Sequence, residues 1–476
     1  MHCFRRILRF ALTFGIAAGL AGCARFQPRP LSPAQNADAF EMRSLADSGL
    51  KAFLEANGVV SAWPRESWDL NALTLAALYY HPDMDLARAR WQAAAAAQIT
   101  AGQRPNPNLT FTPRLNSSDI GSGVTPWILG GVLDIPIETM GKRGHRVAQA
   151  QHLGDMARFD LAGTAWLVRS RVRQSLLDLQ MALEMAALLG DQVDTLGRVA
   201  DLVELRRKSG EVSPVDVATA RIAHHTAQLN LKDTQRQEAD ARGRLAGALG
   251  VPVRALEGAR FSFPDSAAFP TNLASADLRR QAVLNRADVL SALAEYAASE
   301  SALALQIARQ YPDIHLRPGY ELDQTDNKWA LGVSLELPIL NQNQGPVAEA
   351  IAKRDEIAAK FNAVQANAIG ELDRARAVYL AAVDLAATAE GILTNLEKRS
   401  AAMVKMHEAG EVDKLSVATS QAEVFSGALS RLKACFQAQQ ALAALENAVQ
   451  SPLLMPGRAA QLETAARNAA GKSTEP

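Results

Sequence analysis

The chain repeats itself, and that limits its fold more than any other feature. Ala77 to Asp83 aligns with Ala282 to Asp288, and Pro107, Leu109 and Phe111 align with Pro312, Ile314 and Leu316, all at an offset of 205. Leu133, Ile135, Pro136 and Ile137 align with Leu335, Leu337, Pro338 and Ile339 at 202, as does Phe159 with Phe361. Gly210, Glu211 and Val212 align with Gly410, Glu411 and Val412 at 200, and Val217, Ala218 and Thr219 with Val417, Ala418 and Thr419. An offset that drifts by five over so long a stretch points to duplication of one structural unit. The 476 residues therefore read as one unit stated twice rather than as three unrelated domains.

Each unit has one element order. A short Ala-rich helix near Asp83 to Gln103, or Asp288 to Gln310, is stopped by Pro105 and Pro107, or by Pro312. Two strands follow with period-two alternation. In the first unit Leu109, Phe111, Pro113 and Leu115 share one face, as do Trp127, Leu129, Leu133, Ile135 and Ile137, with Asp134 opposite. In the second, Ile314, Leu316, Tyr320 and Leu322 oppose Asp313, His315, Arg317 and Glu321; Trp329, Leu331, Val333, Leu335, Leu337 and Ile339 oppose Ser334 and Glu336. The strands are expected near 109–116, 127–137, 313–322 and 329–339. The loops between them, Ser117 to Thr125 and Asp323 to Asn327, are polar or Gly-rich. A long helix then runs near 143–208 or 346–407, about 90–100 Å at 1.5 Å per residue. It stops at Gly210 or Gly410, and a second helix returns over 214–249 or 414–449. Abundant Ala with only 5% aromatics suits close packing of long helical hairpins.

Strands of about ten residues with one apolar face fit a transmembrane barrel, although a half-buried soluble sheet alternates identically. Four strands cannot close a barrel, and an open edge is not viable in lipid. A membrane reading therefore requires several copies. No unbroken run of 18 apolar residues occurs after the first 25 positions, so no spanning helix is expected. Lys plus Arg and Asp plus Glu tie at 50, a balance that argues against a general nucleic-acid binder.

The first 22 residues read as a signal peptide: Arg5, Arg6 and Arg9, then an apolar run from Phe10 to Gly19. Leu20, Ala21 and Gly22 before Cys23 resemble the lipobox of bacterial lipoproteins, which implies cleavage and lipid at Cys23; Ala24 favours outer-membrane sorting. Losing three Arg leaves the mature chain at a formal −3. Cys435 then stands alone in a helix, as a small buried apolar residue does. The expected organisation is 1–22 signal, 23–65 lipidated extension along the outside of the assembly, 66–260 first repeat, 271–452 second repeat and 453–476 a poorly ordered tail.

From about Trp68 to Gln450 this order resembles the TolC family of outer-membrane efflux proteins. Gly210 followed by Asp216 and Val217 is similar to the family's periplasmic turn, while Ser416 departs from its usual Asp. Ala101 to Pro107 and Pro136 to Arg143 resemble the CzcC-like heavy-metal branch. The resemblance implies a mainly α fold with a transmembrane β part and a homotrimer closing a twelve-stranded barrel above a periplasmic α-helical tunnel. It also implies a periplasmic adaptor (membrane fusion protein) and an inner-membrane resistance-nodulation-division pump as partners. The expected function is passive conduction of heavy-metal cations. A drug-efflux or type I secretion duct of the same family, or a periplasmic adaptor lipoprotein, is the alternative.

No catalytic motif is present: there is no G-x-x-x-x-G-K-[ST], G-x-S-x-G or H-E-x-x-H. No enzyme and no cofactor are expected. Gly141, Lys142 and Arg143 read as a strand-to-helix corner with its cations toward solvent or lipid phosphate. Met403, Met406 and His407 share a helical face and are weak candidates for a soft metal, against apolar packing in a hairpin seam. Adjacent His224 and His225 are expected to point about 100° apart. Glu211, Asp216, Glu411 and Asp413 gather at the turns around Gly210 and Gly410, with Lys208, Lys405 and Lys414 as counter-charges. Converging hairpins would make these turns a gate; ordinary exposed helix-end charge is the plainer reading.

Overall fold

A computed structural model describes residues 26–59, 62–117, 124–263, 269–270, 274–453 and 464–466. The signal segment, Cys3 and Cys23 lie outside the described residues. The chain divides into two units, Met1–Arg43 and Ser44–Pro476. In the first, helix α1 (Pro33–Glu41) starts at Ser32, whose hydroxyl accepts from the Gln35 amide at 3.4 Å.

The second unit opens with α2 (Ser48–Ala56), β1 (Ser67–Trp68), α3 (Leu70–Tyr80), α4 (Pro82–Gly102), β2 (Asn108–Leu115) and β3 (Trp127–Ile137). The first hairpin is α5 (Lys142–Lys208) and α6 (Pro214–Leu249). Then come β4 (Arg260–Phe261), α7 (Ser275–Asn285), α8 (Ala287–Ala308), β5 (Ile314–Asp323) and β6 (Asp326–Leu335). The second hairpin is α9 (Gln344–Glu408) and α10 (Lys414–Val449). The long helices have 67 and 65 residues, about 100 Å each.

The buried residues of α9 explain its length. Ala368, Leu372, Ala375, Tyr379, Ala382, Ala386, Ala389 and Leu393 alternate spacings of four and three, the seam of a coiled coil. Small side chains let α10 approach, and Cys435 is buried there among Ala434, Ala438 and Leu442. By composition one 18-residue window of α9 is also apolar enough to cross a bilayer, which the search for unbroken apolar runs missed. It belongs to a hairpin arm packed on α10.

Two ion clusters join the repeats. Glu446 of α10 is 2% exposed and accepts from Arg169 of α5 at 3.3 Å and from Arg173. Burial pulls the Arg169 guanidinium below its ordinary range, with Glu446 opposing. At the corner after β3, Gly141 and Met140 take left-handed backbone. Lys142 does not face solvent there, contrary to expectation. It is 7% exposed and donates to Asp313 at 2.7 Å and to the Tyr311 carbonyl at 2.6 Å, because its helix starts against the entry to β5.

Two terminal expectations also need correction. Residues 23–65 are not wholly an outer extension: Leu50, Phe53 and Leu54 of α2 are buried in the core with Tyr79, and the Tyr80 hydroxyl lies 2.9 Å from both the Asp47 carboxylate and the Ser44 carbonyl, sharing its one proton between them. In the tail, Ala465 and Ala466 are buried, and the Ala466 carbonyl accepts from Arg88 at 3.1 Å.

Removing Glu446 leaves two guanidinium groups buried without their carboxylate, a loss of about 3–5 kcal/mol. Glu446→Ala is expected to lower the thermal midpoint of the purified protein, followed by helical circular dichroism. An unchanged midpoint would mean that the cluster is not structural.

Candidate functional site

The four long strands form one antiparallel sheet in the order β2-β3-β5-β6. Register places every apolar alternation on one face. Leu109 opposes Leu133, Phe111 opposes Gly131 and Leu115 opposes Trp127. Leu129 opposes Leu322 and Ile135 opposes Leu316 across the junction of the repeats. Ile314 opposes Leu335, Leu316 opposes Val333 and Tyr320 opposes Trp329. This face is bare within the chain: Leu109 is 69%, Trp329 82% and Leu331 76% exposed. The opposite face carries paired charges among a few apolar residues such as Val132. Asp134 accepts from His315 at 2.9 Å and Arg317 at 3.2 Å, Arg114 pairs with Glu321, and Lys328 pairs with Asp323. An apolar outer face, a charged inner face and two unpaired edges are what a segment of a membrane barrel presents.

The last strand differs from expectation at both ends. It starts at Asp326, because Asp323 and Asp326 pair across a two-residue turn with Gln324 at φ 57°. It stops at Leu335 rather than Ile339. The equivalent Ile135, Pro136 and Ile137 of β3 are held by β5, whereas Leu337 and Ile339 meet no strand among the described residues and are 66% and 76% exposed.

The far end of each hairpin is a tight turn. Gly210 and Gly410 sit at φ 78° and 79°, where a side chain would be strained. The Glu211 amide donates to the Arg206 carbonyl at 3.0 Å and the Glu411 amide to the Met406 carbonyl at 2.8 Å, which closes each long helix in a Schellman turn. The return helices are then capped by carboxylates. Asp216 accepts from the Ser213 amide at 2.9 Å while the Ser213 hydroxyl accepts from the Asp216 amide at 3.2 Å. Asp413 accepts from the Ser416 amide at 2.8 Å. These bonds hold both carboxyls below the usual carboxylate range; for Asp413 the Arg206 charge adds to the effect.

Arg206 is the residue that sequence reasoning missed. It pairs with Asp413 of the other hairpin and lies 3.8 Å from Glu211. Its repeat equivalent is Met406, so duplication gave no signal for it. Among the described residues, Lys208, Lys405 and Lys414 make no ion pair with the tip acids. Glu411 is exposed.

Of the weak metal candidates, His407 is engaged in the hairpin turn: its Nδ1 donates to the Val412 carbonyl at 2.8 Å. Among the described residues no three His, Cys, Asp or Glu side chains form a metal-binding group. His224 and His225 do not diverge as expected; their rings stack at 5.7 Å, and each contacts Gln228.

The sequence matches the family described as "Outer membrane efflux protein" over residues 74–251 and 278–449. It is 26% identical over 317 residues to the cobalt-zinc-cadmium resistance protein CzcC of Cupriavidus metallidurans, covering 66% of this chain and 75% of that one. It is 24% identical over 366 residues to the pyoverdine export outer membrane protein OpmQ of Pseudomonas aeruginosa, covering 69% and 76%. Among solved structures CusC shares the fold at a TM-score of 0.65 and 17% identity, covering 82% of this chain and 94% of that one. Two hairpins, a membrane-type sheet and a match across both repeats lead to one conclusion: the chain belongs to the TolC family of outer membrane efflux proteins, which are channels rather than enzymes.

Proposed function

We propose that this chain is the outer-membrane duct of a tripartite efflux system, working as a homotrimer that conducts heavy-metal cations passively from an inner-membrane resistance-nodulation-division pump and its periplasmic adaptor. The observation that carries the reading is the four-stranded sheet with one largely apolar face and two unpaired edges. Such a sheet is stable in lipid only when closed by copies of itself. Three copies give twelve strands, with the hairpins continuing as a tunnel. The metal cargo rests on the similarity to CzcC and on the two short stretches around Gly102 and Gly141. A duct needs no tight metal site, since cargo must leave as readily as it enters.

The hairpin turns are the gate in this reading. Arg206 ties the first hairpin to Asp413 of the second, and Glu211, Asp216, Glu411 and Asp413 put four carboxylates per chain at the aperture. Adaptor contact opens the gate by letting the hairpins splay. Cys23 carries the lipid anchor in the outer membrane, and the segment after it leads to the larger unit.

Metal sensitivity, bilayer conductance with its pH response, and lipid labelling test this. A strain lacking the channel is expected to become several-fold more sensitive to cobalt, zinc and cadmium; sensitivity confined to antibiotics would move the cargo to drugs. In planar bilayers, Arg206→Ala and Asp413→Ala are expected to raise the closed-state conductance, and Asp216→Ala and Glu411→Ala to reduce cation selectivity. Unchanged conductance and selectivity in all four would remove the carboxylate gate. The pH response has a definite sign. A carboxylate depressed in the fold contributes above its unfolded value, about 3.9, and is lost as pH falls through its lower folded value. Conductance should thus be flat from pH 7 to pH 5 and rise only below about pH 4; a transition near pH 6 would mean that these carboxylates do not hold the gate. Third, Cys23→Ser is expected to abolish metabolic labelling with palmitate, and retained label would place the lipid elsewhere.

A further inference from the structure

The charged face of the sheet holds an imidazole placed as metal-binding imidazoles are. His315 is the second residue of β5, at the end of the sheet where the strands meet the helices. Its Nδ1 lies 2.9 Å from Oδ1 of Asp134, and Arg317 donates to Oδ2 of the same carboxylate at 3.2 Å. A carboxylate only accepts, so Nδ1 carries the hydrogen of this bond. In the neutral ring Nε2 then keeps its lone pair. Among the described residues Nε2 has no hydrogen-bond partner, and the His315 side chain is 36% exposed. A carboxylate behind one ring nitrogen fixes the tautomer and makes the other nitrogen a better ligand. The sheet itself does not require this histidine. Arg317 already pairs with Asp134, and the repeat equivalent of His315 is Thr110, in a strand formed equally well.

An oxygen ligand stands nearby. Ser334 lies opposite His315 in the register of β5 with β6, and Glu336 follows Ser334 by two residues. That is close to a diagonal cross-strand position, about 7–8 Å away and within reach of a long side chain. Glu336 is the repeat equivalent of Asp134 at the offset of 202, but the two are used differently. Asp134 is held by His315 and Arg317, whereas Glu336 is exposed and makes no ion pair or hydrogen bond among the described residues. The neighbouring cations, Arg317 and Lys142, are engaged by Asp134 and Asp313. Glu336 is left as the uncompensated charge beside the open imidazole nitrogen.

Resting on the reading of the chain as a duct for metal cations, we propose that Nε2 of His315 and the Glu336 carboxylate form a transient binding point for borderline divalent cations such as zinc and cobalt, with Asp134 as the positioning residue behind the imidazole. A nitrogen with a carboxylate suits these ions, whereas magnesium prefers oxygen ligands alone. Water fills the remaining coordination positions, so the hold is weak and the ion passes on. The point lies at the step from the helices into the sheet, where it favours such ions over others as they enter the membrane part of the duct.

Zinc block of the ionic current tests the site. The full-length protein is placed in planar bilayers at pH 7 in sodium chloride, and zinc or magnesium chloride is added at equal concentration. Block is scored against each variant's own sodium current. Zinc is expected to block the unaltered protein several-fold more strongly than magnesium. His315→Gln is expected to abolish that difference. Glu336→Gln and Asp134→Asn are expected to raise the zinc concentration for half block several-fold and to leave the magnesium response unchanged. If His315→Gln does not insert, Glu336→Gln decides, since its exposed and unpaired side chain supports no part of the fold. Equal block by zinc and magnesium, or an unaltered zinc response in the variants, overturns the site. The duct then still stands, because the metal sensitivity of the deletion strain judges it separately. No sodium current from the unaltered protein overturns the duct and the site with it.

Discussion

A backbone amide placed in hydrocarbon without a partner costs several kcal/mol, and this cost governs the whole second unit. β2 and β6 each turn a row of unpaired N–H and C=O groups outward. Water would satisfy those groups, but the face beside them, from Leu109 to Leu335, is apolar and suited to lipid. The two demands are met together only if the edges find each other on separate copies. The rest of the unit presents those edges at a fixed height. At the first corner Arg146 donates to the Ala101 carbonyl at 2.8 Å and the Gln103 carbonyl at 3.0 Å, and Arg143 to the Gly102 carbonyl at 2.7 Å. At the second, Asn343 donates to the Gln306 carbonyl at 2.7 Å. Both corners thus bind the open carbonyl end of the short helix before the strands, α4 or α8. The strand pair is pinned to the helical part where the chain leaves it and where it returns.

The same duplication is treated differently at the other end. Both turns use a left-handed Gly and a capping carboxylate, yet the cap is Ser213 with Asp216 in the first and Asp413 in the second. Moving the acid by this much brings it within reach of Arg206, which has no counterpart in the second hairpin. Local helix chemistry is kept in both repeats, while the Arg206 bridge has no repeat counterpart among the described residues.

Much of this was legible in sequence because it is local. Period-two alternation located four strands, and Gly210 and Gly410 located both turns, since these signals arise within a few residues. What escaped depends on partners distant in sequence. Lys142 looked like a solvated corner cation, but its partner Asp313 lies in the other repeat. Arg206 was one basic residue among three at a helix end, where the macrodipole favours any cation. The stop of β6 at Leu335 could not be read from its own pattern, which continues to Ile339, because a strand ends where its neighbour ends and β5 begins at Ile314.

The buried cluster at Glu446 has a consequence for symmetry. Its repeat equivalent is Ala246, and Arg169 and Arg173 correspond to Glu371 and Ala375. Within the chain this cluster fastens the contact between the repeats, and Ala246, Glu371 and Ala375 supply no equivalent set of charges at the repeat-related positions. A ring built from copies of this chain would therefore be less symmetric in its mechanics than its duplicated halves suggest, with the fastened joints falling within chains.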